Sequence, residues 1–178
     1  MRVTFLGTGT SHGVPMIGCQ CAVCRSTDPR DRRSRPSILL TLPSGTCILV
    51  DTSTDLRAQA LANGISRVDA IVFTHSHADH IFGFDEIRRF NVLAGRPLPV
   101  HADARTLDDL RRTFPYAFTT PEQVGGGVPQ VEPHEVTGPF AIDGQRFVPV
   151  PILHGRRPIL GYRAGGFAYL TDCSAIPE

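Results

Sequence analysis

Directly after the apolar run Asp69-Ala70-Ile71-Val72-Phe73 the chain reads His75-Ser76-His77-Ala78-Asp79-His80. Three imidazoles and a carboxylate therefore fall in a turn-sized segment at the exit of a predicted strand. Imidazole and carboxylate together are good ligands for zinc, manganese or iron. In an extended segment His75 and His77 point the same way, because side chains repeat every two residues. They can hold one metal. Asp79 and His80 begin the following helix and can face a second. Two such cations about 3.5–4 Å apart need a bridging carboxylate. Asp172, after the Phe167–Thr171 strand, is the natural candidate. His154, at the end of the Phe147–Leu153 strand, completes either set. The fold must bring these strand ends together. A polar turn with chance clustering is the competing reading.

The elements around this cluster alternate. Val3–Leu6 reads as a strand and Gly7–Gly13 as a glycine-rich turn. That turn is neither a Walker loop, since lysine is missing, nor a dinucleotide fingerprint, since its third glycine falls wrongly. Ser37–Leu42 and Cys47–Val50 form a hairpin around Pro43-Ser44-Gly45. Asp51-Thr52-Ser53 ends the second strand and can cap a helix over Thr54–Ala62, which Asn63-Gly64 stops. Asp51 alternatively accepts a hydrogen bond from a ligand histidine. Val68–Phe73 is a buried strand. Asp79–Phe90 reads as one helix with Ile81, Ile87 and Phe90 inward; Pro99–His101 as a strand; Ala102–Arg112 as an amphipathic helix. Thr113–Gly127 is an irregular loop. Gln130–Val136, Arg146–Ile152, Ile159–Tyr162 and Phe167–Thr171 make the second half rich in strands. The pattern predicts a layered α/β domain with a mixed sheet.

Composition narrows the chemistry. All 18 basic residues among 178 are arginine, which excludes Schiff-base and lysine-nucleophile mechanisms. A formal net charge of +1 points to no particular partner. Arg25, Arg30, Arg32, Arg33 and Arg35 lie close together with Asp28 and Asp31. They read as a solvated, partly self-paired loop, or as a phosphate-binding rim. Met1–Leu6 is too short for a signal peptide, and no run approaches the eighteen or so apolar residues of a membrane helix. Five cysteines are poor disulfide arithmetic, and a reducing, cytoplasmic location fits them. Cys19, Cys21 and Cys24 are spaced to wrap one zinc, with a fourth ligand from elsewhere, His12 or a residue beyond 178. Cys47 and Cys173 read as small buried hydrophobes.

His75-Ser76-His77-Ala78-Asp79-His80, followed by His154 and Asp172, resembles the HxHxDH signature, next histidine and bridging aspartate of the metallo-beta-lactamase superfamily. Gly7-Thr8-Gly9-Thr10-Ser11-His12-Gly13-Val14-Pro15 and Gly18-Cys19-Gln20-Cys21-Ala22-Val23-Cys24 are similar to its phosphoribosyl cyclic phosphodiesterase branch. Asp51 and Phe84–Asn91 also resemble that branch. The resemblance implies a four-layer αββα sandwich with mixed sheets and a single metallo-hydrolase domain over residues 1–178. It implies a three-cysteine structural zinc insertion at 19–24 and two active-site zinc or manganese ions on His75, His77, Asp79, His80, His154 and Asp172. Asp79, His80 and Asp172 would carry catalysis, with Arg88, Arg35 and His12 as substrate-binding candidates. The substrate would be a small cyclic or nucleotide-type phosphodiester. A further ligand histidine of the superfamily falls after the bridging aspartate, so the chain is expected to be truncated at its C-terminus and its fold incomplete there. The alternatives are an RNA-processing nuclease of the tRNA 3′-end type, another hydrolase such as a thioesterase or lactonase, or a catalytically poor metal-binding protein. Nucleic acid is disfavoured by the charge balance, no membrane partner is expected, and a homodimer stays open.

Overall fold

Alternation along three neighbouring strands puts a different core on each face of one sheet. In the computed structural model, which describes residues 1–119 and 127–177, these strands are β2 (Ser37–Thr41), β3 (Cys47–Val50) and β4 (Ala70–Val72). Leu39, Leu49 and Ile71 point to one side, where Leu56, Phe84, Ile87, Phe90, Leu107 and Leu110 cover them. Ile38, Leu40, Ile48, Val50 and Val72 point to the other, against Phe147, Tyr162 and Ala164. The period-2 pattern thus makes β2, β3 and β4 apolar on both faces, as central strands of a covered sheet must be.

The first sheet has the order β1-β2-β3-β4-β5-β6, with β1 (Arg2–Gly7) at one edge and β5 (Leu98–Ala102) and β6 (Val131–Glu135) at the other. β1, β2 and β3 pair antiparallel, while β3 to β6 run parallel, so the sheet is mixed. The helices α1 (Leu56–Ala62), α3 (Ile87–Ala94) and α4 (Ala104–Thr113) contribute the apolar groups on its outer face, and α2 (Ala78–Ile81) follows β4. The second sheet, β10-β9-β8-β7, packs on the inner face. It consists of β7 (Phe140–Ile142), β8 (Gln145–His154), β9 (Arg157–Ala164) and β10 (Phe167–Tyr169), all antiparallel. Helices outside and two sheets inside is the expected α/β sandwich. Among the described residues the outer face of the second sheet carries no helix, and Arg146 and Arg163 are exposed there. No helix of the described residues is long and apolar enough to cross a membrane.

Several elements depart from the sequence reading. The single helix predicted over Asp79–Phe90 is broken into α2, a 3₁₀ turn at Phe84–Glu86, and α3. Gly83 is the break. A Cβ there would lie 2.1 Å from the Ser53 carbonyl oxygen, and the Gly83 N–H donates to Thr52 O at 3.0 Å. The chain turns there to let α2 touch the end of β3. Asp51 does not cap α1; Asp55 occupies that position, and its carboxylate is turned to Arg35 at 2.9 Å. β7 was not anticipated. Part of the predicted Thr113–Gly127 loop, residues 120–126, lies outside the described residues; within the rest, Phe114 and Phe118 pack on Phe84.

His101 on β5 alternates with Val100 and Ala102 and therefore faces the second sheet. Its ring stacks on His134, its register partner on β6, and on Phe140 of β7, each with centroids 4.8 Å apart. Burial, and then the charge of His134, pull its pKa down to about 4 from 6.5. The folded state thus binds this proton later than the unfolded chain does. Stability is expected to fall as pH drops from 6.5 towards 4. His101→Phe preserves the stack and should show a shallower decline when urea midpoints are compared at neutral and mildly acidic pH. An identical pH slope in the two proteins would remove His101 from the acid response.

Candidate metal centre

β4 ends at Val72, the chain bends at Thr74, and His77, just before α2, is extended at φ −68° and ψ 154°. His75 and His77 accordingly share a side, with His75 Nε2 and His77 Nδ1 3.1 Å apart. α2 then starts at Ala78 and places Asp79 and His80 in its first turn. His154 arrives from the end of β8 and Asp172 from the segment after β10. Two donor groups result, each with its ligand atoms within 4.8 Å of one another: His75, His77, His154 and Asp172, and Asp79, His80 and Asp172. Asp172 belongs to both. Its Oδ2 lies 3.1 Å from His80 Nε2, 3.5 Å from His75 Nε2 and 4.0 Å from His154 Nε2. His154 is grouped with the first set and not with the second.

The electrostatics suit a cation. Burial, followed by the neighbouring charges of His80 and His77, lowers the His75 pKa to about 3, so its ring is neutral and its nitrogens can donate electron pairs. His77 is lowered by burial and by Arg157. His80 behaves oppositely. Burial alone would lower it, but the carboxylates of Asp51, Asp172 and Asp79 outweigh that and raise it to about 12. Asp172 is held at about 2, chiefly by its hydrogen bond with His80. The second group thus favours a positive charge at His80 Nε2, and a bound cation would satisfy the same carboxylates. The mixture of imidazole nitrogens and carboxylate oxygens is what zinc or manganese takes.

Asp51 builds the support behind this. It is fully buried and accepts hydrogen bonds from Thr74 N, Thr74 Oγ1 and His80 Nδ1, each at 2.8 Å. The His80 ring is thereby oriented with Nε2 towards Asp172. The second of the two roles considered for Asp51 is the one its contacts serve.

The three N-terminal cysteines form a separate cluster. Cys19, Cys21 and Cys24 have sulfurs within 4.8 Å of one another. The Cys24 N–H donates to Cys21 Sγ at 3.4 Å, and this bond, with Cys19 next, lowers the Cys21 pKa. His12 is not among the donors grouped there. It lines, with Arg35, a surface cavity of about 740 Å³ between the glycine-rich loop and α1, to which none of the clustered histidines contributes. Arg35 is engaged by Asp55 and by the Ser11 carbonyl. Arg88 pairs with Asp85 at 2.8 Å on the surface of α3. The structure therefore does not gather these three with the histidine cluster. Cys47 is half-buried against the helix-side core, whereas Cys173 is exposed rather than buried, because the chain after β10 runs along the surface. Sequence reasoning missed Arg157, whose Nη2 donates to Ser76 Oγ at 2.7 Å between two of the histidines. No local motif marks it.

The model of a family described as Beta-lactamase superfamily domain matches residues 46–178. The chain belongs to the metallo-beta-lactamase superfamily. It is 47% identical to a crystal structure described as a new diphosphatase from the PhnP family, with a TM-score of 0.89, over 99% of this chain and 66% of that one. It is 43% identical to an octanoyltransferase of Porphyromonas gingivalis (strain ATCC BAA-308 / W83), over 99% of this chain but 35% of that protein. The short form of human tRNase Z superposes with a TM-score of 0.69 at 21% identity, over 99% of this chain and 71% of that one. That likeness concerns the fold alone. The chain spans a third to two thirds of the length of the first two relatives.

Proposed function

We propose that the protein is a dinuclear metal-dependent hydrolase acting on small cyclic or nucleotide-type phosphodiesters. The observation that carries this is the sharing of Asp172 Oδ2 between two donor groups in a chain 47% identical to a PhnP-family diphosphatase. His75, His77 and His154 would hold one metal, Asp79 and His80 the other, and Asp172 both. Zinc or manganese bound there would supply Lewis acidity towards phosphate oxygens and make water a stronger nucleophile at neutral pH. Asp51 fixes the His80 ring, and the neutral His75 and His77 offer their nitrogens without losing a proton. Residues 1–178 act as one metallo-hydrolase domain in the cytoplasm, with a small-molecule substrate.

Chemistry at carbon uses the same ligand set, so the substrate class rests on the diphosphatase likeness and is tested by a panel. Bis(p-nitrophenyl) phosphate, ribose cyclic phosphates and a nucleoside diphosphate ester are compared with nitrocefin, thioesters and lactones, with zinc or manganese added. Turnover is expected among the phosphorus esters and is lost with the metal in His77→Ala. Turnover confined to carbon esters would show the substrate class to be wrong, and metal binding without any turnover would favour a binding protein.

The cysteine trio holds a structural zinc in this reading. Cys21→Ala should bind one zinc fewer and melt at a lower temperature, with little change in the chemical step per intact active site. Unchanged zinc content in the purified variant would count against it.

A further inference from the structure

The first donor group is assembled from both sheets. His75 and His77 stand on the loop after β4, whereas His154 closes β8. The two loops must keep their spacing for the nitrogens to converge. β9 runs beside the 73–76 segment and is stitched to it stepwise: Tyr162 Oη donates to Phe73 O at 2.9 Å and Leu160 N to Thr74 O at 3.1 Å. Arg157 continues the series at the site end. It is the cross-strand partner of His154 at the β8–β9 turn, and its Nη2 donates to Ser76 Oγ at 2.7 Å. Ser76 in turn donates to Asp109 Oδ2 on α4, which lies 3.6 Å from Arg157 Nη2 and also pairs with Arg112. Arg157, opposite His154, thus reaches the residue between His75 and His77, and Asp109 of α4 contacts both Ser76 and Arg157.

We propose that Arg157, with Ser76 and Asp109, is a positioning clamp that sets the geometry, and hence the metal affinity, of the His75, His77 and His154 group. It does not touch the metal. The inference rests on that group being a metal site. Charge and geometry make opposite demands here. A cation near a metal site repels the metal, so by charge alone loss of Arg157 should tighten binding. If Arg157 positions the loops, its loss should loosen binding.

The test is zinc affinity of the metal-stripped protein, measured by competition with a chromophoric chelator. Arg157→Met should weaken binding at the His75, His77 and His154 group by about 10–100-fold, the range for groups that orient metal ligands. Arg157→Lys keeps the charge and one donor for the single Nη2 contact to Ser76, so it should recover part of the affinity that Met loses. Ser76→Ala should weaken binding similarly, and the Ser76→Ala/Arg157→Met double variant should be little worse than either single one, because one link is broken twice. Arg157→Met is expected to fold, since Arg157 Nε is buried without a hydrogen-bond partner and its removal also removes that penalty; matching far-UV spectra and melting of the metal-free proteins check it. Tighter binding in Arg157→Met, Lys no better than Met, or additive losses in the double variant would overturn the clamp. His77→Ala separates this from failure of the functional reading. If the wild type binds no zinc that His77→Ala abolishes, the metal centre itself is wrong. If it does, and Arg157→Met matches the wild type, only the clamp is wrong.

Discussion

Asp172→Ala is expected to bind at least one active-site metal fewer and to lose hydrolytic activity by more than about 100-fold, the upper range for residues that merely orient metal ligands. The reason is that Asp172 Oδ2 is the atom closest to being common property. It lies 3.1 Å from His80 Nε2, 3.5 Å from His75 Nε2 and 4.0 Å from His154 Nε2. Removing it takes a carboxylate from both groups at once, whereas losing His154 affects one. A second effect follows from the backbone. Asp172 has φ 54°, a left-handed conformation that Asp and Asn tolerate better than Ala. Asp172→Asn keeps that preference and one amide oxygen while removing the charge, so it separates the two causes. Metal counting and turnover should rank wild type above Asn and Asn above Ala. Two metals and normal turnover in Asp172→Ala would exclude the bridging role.

The candidate site was more legible in the sequence than its supports were. HxHxDH announces itself because the ligand types are uncommon together, and because a two-residue period in an extended segment fixes which side His75 and His77 share. Strand ends bearing His154 and Asp172 were equally local signals. The break at Gly83 was not, since apolar spacing from Ile81 to Phe90 is continuous and the cause is the Ser53 carbonyl packed against Gly83 from a distant loop. β7 is three residues long and exists because Phe140 pairs with Phe147 and stacks on it, a relation invisible in a short run. Cys173 looked buried by residue type, yet it sits where the chain runs exposed after the last strand. Arg157 and Asp109 belong to no motif at all. Their meaning arises only when the 76, 109 and 157 segments meet, which is a property of how the sheets pack.

Asp51→Ala should destabilise the metal-free protein by about 3–5 kcal/mol, the usual cost of removing one partner of a buried, hydrogen-bonded ion pair. Asp51 and His80 are both fully buried, and their contact is 2.8 Å. The substitution also strands the Thr74 N–H, which donates to Asp51 at 2.8 Å, whereas the Thr74 hydroxyl still has His75 Nδ1 at 3.0 Å; an unsatisfied buried donor costs about 1–3 kcal/mol. These contributions overlap, since all three donors share one carboxylate, so their sum overstates the loss. Ala at φ 61° adds left-handed strain. Asp51→Asn retains the backbone preference and one acceptor but turns an N–H₂ group towards either Thr74 or His80, and should fall between the two. Urea denaturation of the three stripped proteins measures this. The functional consequence is separate and should persist where the variant remains folded. With Nδ1 no longer held, the His80 ring is free to rotate, and affinity at the Asp79, His80 and Asp172 group should fall more than at the group containing His75. Stability within about 1 kcal/mol of wild type, below the lower end of that range, would mean that Asp51 is not the keystone between β3 and α2. Equal weakening of both metals would mean that it acts on the whole centre instead of through His80.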